Sequence, residues 1–147
     1  MNVTREMKSF PFDLLLDADP SFENVKEYLE RGECYIANQN GKVIGVYVLL
    51  QKGSSVEIVN IAIDESDRGQ GIGTKLLQDA LLRAKQMGAE TVEIGTGNSS
   101  IGQLALYQKC GFRMMEIQHG YFEDYDEDII ENGIVCRDRI RLSVSIN

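Results

Sequence analysis

A turn with three alternating glycines, Arg68-Gly69-Gln70-Gly71-Ile72-Gly73, most constrains how this chain can fold. An apolar, strand-like run precedes the turn, and a segment of about Gly71–Met87 with helical spacing follows it. That segment carries one apolar stripe, formed by Leu76, Leu77, Ala80, Leu81 and Ala84. Gly88 is placed to end the helix. The order of strand, glycine turn and helix is typical of α/β proteins.

The same turn predicts a site for an anion. Glycine allows a positive φ and a close approach of the backbone to a ligand. A helix N-terminus offers unpaired N–H groups and the positive end of the helix dipole, and both favour phosphate. Arg68 adds a cation that can pair with it. A tight strand-to-helix turn without a ligand is the alternative.

Two common phosphate motifs do not fit this turn. A P-loop requires Lys and then Ser or Thr directly after its last glycine, whereas Gly73 is followed by Thr74-Lys75. The dinucleotide fingerprint requires a glycine where Thr74 stands, and five residues, Asp64–Arg68, separate the strand from the first glycine. No second βαβ half follows.

Composition narrows the class of protein. The 147 residues predict a single domain, 1–147. A formal charge of −8 argues against general binding to nucleic acid or anionic membranes. The sequence has neither a membrane-length apolar run nor a signal-peptide core at its N-terminus. Three cysteines without CxxC spacing and one histidine predict neither a metal site nor a disulfide framework, so a reduced, cytoplasmic protein is expected.

The remaining patterns predict one mixed sheet with helices on its faces. Strands are expected near Val3–Ser9, at Cys34–Ala37, Val43–Leu50 and Val92–Gly95, and over two long runs, Phe112–Phe122 and Val135–Ile146. Asn40-Gly41 predicts a hairpin turn between the second and third strands. A turn or helix is expected near Pro11–Leu16, and helices from the N-cap Ser21 to Gly32 and over Ile101–Cys110.

The strand before the glycine turn has a phase slip. Val56 and Ile58 alternate normally, but the apolar series resumes at Val59, Ile61 and Ile63, one residue out of step. One extra residue in a strand is what a β-bulge requires, so a bulge is predicted here.

These stretches resemble the GNAT superfamily of acyl-CoA-dependent N-acyltransferases. The glycine turn matches the R/Q-x-x-G-x-G/A motif, Glu57–Ile63 resembles the bulged central strand, and Leu106-Tyr107-Gln108-Lys109-Cys110-Gly111-Phe112 is similar to the L-Y-x-x-x-G-F run. The resemblance implies a mixed α/β sheet that splays into a V-shaped cleft, with about four flanking helices. It fades before Ser21 and after Tyr121, where such proteins bind their acceptors.

The resemblance also implies acetyl-CoA as cosubstrate, without a metal. The pyrophosphate would lie on the turn, with Arg68 and the Thr74 hydroxyl as helpers, and the pantetheine arm on the backbone of the bulged strand. The residues so assigned are Ile61, Ala62, Ile63, Arg68, Gly69, Gln70, Gly71, Ile72, Gly73 and Thr74. Asn98 or Ser100 would bond the pantetheine or cap the helix that begins at Ile101.

Two residues are assigned chemistry by the resemblance. Tyr107 would protonate the departing CoA thiolate, with simple packing as the alternative. Glu57 would accept the amine proton, directly or through water, with plain solvent exposure as the alternative.

His119 is expected to be a packed or surface residue, and Cys110 a small buried hydrophobe. A CoA-binding sensor without turnover is the second functional hypothesis.

The acceptor is expected to be a primary amine on a small molecule or peptide. Glu123–Glu131 contains six carboxylates and no basic residue. Such a run is usually a solvated loop, but in this setting it could attract a cationic acceptor. Dimers are common among such relatives, and the sequence leaves the oligomeric state open.

Overall fold

The computed structural model describes residues 1–146, which form two compact units. Unit one comprises Met1–Val92 with Ile146, and unit two comprises Glu93–Ser145. Nine strands and four α-helices lie in the described residues, which gives the mixed α/β class predicted from the sequence. The single domain expected from chain length stays a prediction.

The strands of unit one pair in chain order as an antiparallel sheet. They are β1 (Asn2–Glu6), β2 (Glu33–Gln39), β3 (Lys42–Lys52) and β4 (Ser55–Ile63). Asn40 and Gly41 have φ values of 54° and 79°. A tight hairpin turn needs such a pair of positive φ angles, so the predicted Asn-Gly turn is confirmed.

Two helices of unit one cover part of this sheet. They are α1 (Phe12–Ala18) and α2 (Phe22–Arg31). The Ser21 hydroxyl accepts a hydrogen bond from the Asn24 N–H (3.2 Å), which confirms the predicted N-cap. The helices and strands β2 and β3 bury one apolar cluster, formed by Leu14, Leu15, Val25, Leu29, Cys34, Ile36, Val46 and Val48. Each large aliphatic side chain buried here stabilises the fold by roughly 1.5–3 kcal/mol.

The predicted bulge lies in β4. Val48 on β3 opposes Asn60, whereas the next residue, Leu49, opposes Ile58. Val59 is therefore the extra residue, which is the residue at which the phase slip occurs in the sequence. The bulge is confirmed.

The third helix of unit one, α3 (Ile72–Gln86), follows the glycine turn. Leu76, Leu77, Ala80 and Ala84 of its predicted stripe are fully buried, and Leu81 is half-buried. A polar contact also fixes the helix, since the Tyr47 hydroxyl donates to Asp79 (2.5 Å) and Arg83 Nε donates to the same carboxylate (3.0 Å). The helix that carries the turn is therefore held to the sheet by both apolar and polar contacts.

Unit two contains the rest of the chain. Its elements are β5 (Thr91–Gly97, which begins in unit one), α4 (Ile101–Lys109), β6 (Arg113–Gln118), β7 (Ile130–Glu131), β8 (Ile134–Val135) and β9 (Arg139–Ser145). Strand β9 lies between β5 and β6 and pairs antiparallel with β6, while β7 and β8 form a separate hairpin. No helix in residues 1–146 is long and apolar enough to span a membrane.

The two long strands predicted for this unit are wrong in extent. β6 ends at Gln118 and β9 begins at Arg139. Gly120 adopts a φ of 73°, and its N–H donates to the Asp138 carboxylate (2.9 Å), so the chain turns where a continuous strand was expected. The small hairpin β7–β8 takes up part of the intervening segment.

Candidate functional site

The glycine turn has the geometry of an anion site. Gly69 and Gly71 adopt φ values of 79° and 77°, and no atom lies within 4 Å of where a Cβ would stand on either. Gly71 is the N-cap of α3, and no side chain of the described residues caps this end. The N–H groups of the first helical turn therefore remain for a ligand. Gly73 lies within the helix and is buried.

The segment that leads into the turn is held in place. The Asp64 carboxylate accepts from the backbone N–H (3.0 Å) and the hydroxyl (2.6 Å) of Ser66, and these bonds hold the pKa of Asp64 below its usual value. Lys42 Nζ lies 3.5 Å from Asp64 and 3.3 Å from Asp67. Lys42 was missed from the sequence, because it stands on the preceding hairpin, far from the motif along the chain.

Arg68 stands at the start of the turn with an exposed side chain. Its Nε donates to the Ile63 carbonyl (3.3 Å), and its Nη2 lies 3.8 Å from the Asp17 carboxylate on α1. Exposed ion pairs of this length are weak. A phosphate on the turn would therefore compete readily with Asp17 for the guanidinium.

The bulged strand carries the other cofactor residues predicted in unit one. Ile61, Ala62 and Ile63 are half-buried and lie opposite Gly45–Tyr47 on β3. In an antiparallel ladder, alternate N–H and C=O groups point away from the partner strand and can serve a ligand. Glu57 lies on the same strand with its side chain 13% exposed, and it forms an ion pair with Lys52.

Asn60, beside the bulge, was not identified from the sequence. It is only 4% exposed, and its Nδ2 donates to the Leu15 carbonyl (2.9 Å) and the Tyr28 hydroxyl (2.7 Å). Its buried Oδ1 has no hydrogen-bond partner in residues 1–146. The signal was present, because a polar residue stands between the apolar Val59 and Ile61.

Tyr107 is buried in unit two, with 4% of its surface exposed. Its ring centroid lies 6.2 Å from that of Phe112. Burial raises the pKa of the Tyr107 phenol above its ordinary value, and the hydroxyl is protonated at neutral pH. Both the packing and the acid interpretation of Tyr107 are compatible with this environment.

Asn98 and Ser100 bond to protein groups of unit two. Asn98 Oδ1 accepts from the N–H groups of Arg137 (2.8 Å) and Asp138 (3.0 Å). The Ser100 hydroxyl donates to Glu131 (3.1 Å), as does that of Ser99 (3.2 Å). Ser100 is the N-cap residue of α4, but its side chain makes no capping bond, so the capping role offered for it as an alternative is wrong.

Other candidates lie on the surface. The His119 side chain is 81% exposed, with Nδ1 3.8 Å from Asp138, in agreement with a surface residue. Cys110 is half-buried and not buried as expected. The acidic run Glu123–Glu131 is called the acidic loop below. Its exposed carboxylates are Glu123, Asp124, Asp126, Glu127 and Asp128. Within residues 1–146, no three His, Cys, Asp or Glu side chains are grouped so as to hold a metal ion.

Comparison with known proteins defines the class. The family model described as the acetyltransferase (GNAT) family matches residues 3–112. The chain belongs to this family. A relative from Bacillus subtilis (strain 168), named uncharacterized N-acetyltransferase YvbK, is 58% identical over 137 residues, which cover 92% of this chain and 88% of the relative.

Two solved structures agree with this assignment. An acetyltransferase from Bacillus subtilis in complex with CoA is 53% identical, with a TM-score of 0.95 over 99% of each chain. A GNAT family acetyltransferase from Elizabethkingia anophelis with acetyl-CoA bound is 46% identical, with a TM-score of 0.94 over 98% of this chain and 97% of that one. The chain is an acetyl-CoA-dependent N-acetyltransferase, and the fold and cosubstrate predicted from the sequence are confirmed. The findings support transfer and not a sensor without turnover.

Proposed function

We propose that the enzyme acetylates a primary amine by direct attack within a ternary complex. The amine nitrogen attacks the thioester carbon of acetyl-CoA, the C–S bond breaks, and CoA leaves as a thiol after it takes up one proton. The amine gives up one proton to a base. The observation that carries this proposal is the glycine turn at the start of α3, an uncapped helix N-terminus with two positive-φ glycines.

Acetyl-CoA is held in this proposal by backbone groups of unit one. The pyrophosphate accepts hydrogen bonds from N–H groups of Gly69 to Thr74, and Arg68 exchanges Asp17 for a phosphate oxygen. The pantetheine arm bonds the free backbone groups of Ile61–Ile63. Since most of these contacts are to the backbone, they depend on φ and ψ angles more than on side-chain identity.

Tyr107 supplies the proton for the departing thiolate. The phenol is protonated at neutral pH and can therefore donate a proton, and its ring is packed near Phe112. General acids of this kind typically contribute 10²–10⁴-fold to the rate.

Glu57 accepts the proton that the attacking amine releases, directly or through water. Its carboxylate is largely shielded and lies on the bulged strand, where Lys52 pairs with it. A backbone N–H of the same strand stabilises the negative oxygen that develops on the thioester carbonyl, because a bulge leaves a residue outside the regular ladder.

The acceptor in this proposal is a cationic amine, either a small molecule or a peptide. Five exposed carboxylates of the acidic loop support it, since together they raise the local concentration of a polycation. The proposal also includes a reduced, cytoplasmic setting, which is expected from the cysteine pattern. It further includes a homodimeric assembly.

Calorimetry with acetyl-CoA, paired with release of free thiol over an amine panel, tests the proposed function. The panel contains spermidine, an aminoglycoside, a lysine peptide and, as a control, an amino acid with a net negative charge. We expect acetyl-CoA to bind and thiol release to be fastest with the polycations. Tight binding without thiol release for any amine would refute a primary amine acceptor of this kind.

A further inference from the structure

The Asn98 side chain bonds with three groups of a distant segment in its own unit. Its Oδ1 accepts the N–H groups of Arg137 (2.8 Å) and Asp138 (3.0 Å), and its Nδ2 donates to the Val135 carbonyl (3.1 Å). Its backbone N–H also donates to the Asp138 carbonyl (3.0 Å). The position of the segment 135–138 therefore depends on one asparagine that lies nearly 40 residues earlier in the chain.

That segment in turn fixes the start of the acidic loop. The Asp138 carboxylate accepts the Gly120 N–H (2.9 Å), and the Arg137 carbonyl accepts the Phe122 N–H (3.0 Å). The next residue, Glu123, is the first carboxylate of the loop. A change at Asn98 is thus transmitted to the loop through two consecutive sets of hydrogen bonds.

The residues beside Asn98 fix the end of the loop. The hydroxyls of Ser99 and Ser100 both donate to Glu131 on β7, and Asn132 Nδ2 donates to the Ser99 carbonyl (2.8 Å). We call Asn98, Ser99 and Ser100 the clasp. Both ends of the loop are tied to these three consecutive residues.

We infer that Asn98 is a positioning residue for the acceptor, acting through the segment 120–138, and that its Oδ1 does not serve as a pantetheine ligand. The inference rests on the proposed function, which assigns recognition of the acceptor to the acidic loop. Both lone pairs of Oδ1 are occupied by N–H groups. To bond a pantetheine amide, Oδ1 would have to release at least one of them, and an N–H that loses its partner in a partly buried place opposes the exchange.

Two substitutions of Asn98 and one comparator test this inference. Asn98→Ala removes every side-chain bond, whereas Asn98→Asp keeps an oxygen for the Arg137 and Asp138 N–H groups, loses the donor to Val135 and adds a negative charge. Asn132→Gly is the comparator, since Asn132 has a φ of 56° that glycine also adopts, and it removes one bond at the other end of the loop.

Three quantities are measured for each variant: the Kd of CoA, hydrogen exchange of the Gly120, Phe122, Arg137 and Asp138 amides, and kcat and KM for spermidine. Asn98→Ala is expected to speed exchange about tenfold or more, since three side-chain bonds are lost. KM for spermidine should rise about fivefold or more, while kcat and the Kd of CoA stay within about twofold. Asn98→Asp should lie between wild type and Asn98→Ala, and Asn132→Gly should leave Arg137 and Asp138 protected.

A Kd of CoA that rises about tenfold with unchanged amide exchange would overturn the inference and make Asn98 a cofactor ligand. Unchanged exchange and KM in a folded Asn98→Ala variant would also overturn it. If Asn98→Ala does not fold, Asn98→Asp supplies the same comparison. If wild type acetylates no member of the amine panel, the proposed acceptor class fails. CoA affinity and amide exchange would still show whether Asn98 fixes the segment 135–138 or binds the cofactor.

Discussion

The two units hold their candidate functional residues by different physical means. In unit one, the glycine turn and the bulge place backbone groups, and the local sequence dictates both features. In unit two, Asn98 and its neighbours fix residues 120–138 by side-chain hydrogen bonds that span more than 30 positions of the chain. Under the proposed function, the backbone features of unit one hold acetyl-CoA, whereas the side-chain hydrogen bonds of unit two position the acidic loop.

This difference predicts opposite sensitivities. Unit one should respond strongly to an added Cβ at a positive-φ glycine and weakly to exchange of exposed polar side chains. Unit two should respond to the loss of a polar atom or charge and be less sensitive to backbone substitutions. Variants can therefore be arranged by whether they change CoA affinity, turnover or acceptor recognition.

The largest effect is expected for Gly71→Val. The added Cβ meets no atom, but a β-branched residue at a φ of 77° is strained, and relief of that strain would misdirect the N–H groups at the start of α3. We expect CoA affinity to fall by about 100-fold or more, measured by calorimetry on a protein with a native circular dichroism spectrum.

Gly53→Val is the matched control for that variant. Gly53 also has a positive φ (62°) and open space around its missing Cβ, but it lies in the turn between β3 and β4. It should lower the melting temperature by a similar amount and leave CoA affinity unchanged. Equal loss of CoA affinity in both variants would contradict the assignment of the phosphate site to the glycine turn.

Tyr107→Phe should lower kcat by roughly 100-fold with little change in CoA affinity, because it removes one hydroxyl and keeps the packed ring. The loss should shrink for acyl donors whose thiols are better leaving groups, since these need less protonation. Steady-state kinetics with two thioester donors measures both effects. Wild-type kcat in this variant would leave Tyr107 as a packing residue.

The sequence predicted most of unit one and less of unit two for the same physical reason. Ser21, Asn40-Gly41 and the phase slip at Val59 act within a few residues, so their structures follow from local rules. The extents of β6 and β9 did not follow, because they depend on Asp138 meeting Gly120 across the unit. The bonds of Asn98 are equally long-range.

The candidate site shows the same difference between local features and long-range contacts. The glycine turn is recognisable from its spacing, and the L-Y-x-x-x-G-F run was located through its resemblance to the family motif. Lys42 and Asn60 could not be assigned partners, because Lys42 reaches Asp67 and Asn60 reaches Leu15 only after the hairpin and α1 have packed. Sequence reasoning proposed the residues that bind the cofactor, but it did not identify Lys42 and Asn60, whose partners are distant along the chain.

A smaller, electrostatic effect is expected from the acidic loop. Changing Glu123, Asp124, Asp126, Glu127 and Asp128 to amides should raise KM for spermidine several-fold at 10 mM salt and leave CoA affinity unchanged. The difference should fade with added salt, since the Debye length is ~10 Å at 0.1 M. KM equal to that of wild type at low salt would reduce the loop to a solvated surface segment. A lower KM for a negatively charged amine would indicate an acidic acceptor.

The smallest effects concern two carboxylates of unit one whose pKa values shift in opposite directions. Burial raises the pKa of Asp19, so its contribution to stability is complete below its ordinary pKa and is lost as the pH rises through the folded value. Hydrogen bonds from Ser66 lower the pKa of Asp64, so its contribution is present above its ordinary pKa and is lost as the pH falls through the folded value.

Asp19→Asn and Asp64→Asn should therefore change stability with opposite dependence on pH. At pH 3, Asp19 is protonated and resembles asparagine, so Asp19→Asn should match wild type there and gain about 1–3 °C in Tm by pH 7. Asp64→Asn should be less stable than wild type at pH 7, and this deficit should shrink towards pH 3. Thermal melts at five pH values between 3 and 7 measure both slopes. Slopes of the same sign would mean that the charge of Asp64 does not fix the segment before the glycine turn. Other contacts would then have to hold the backbone of that segment.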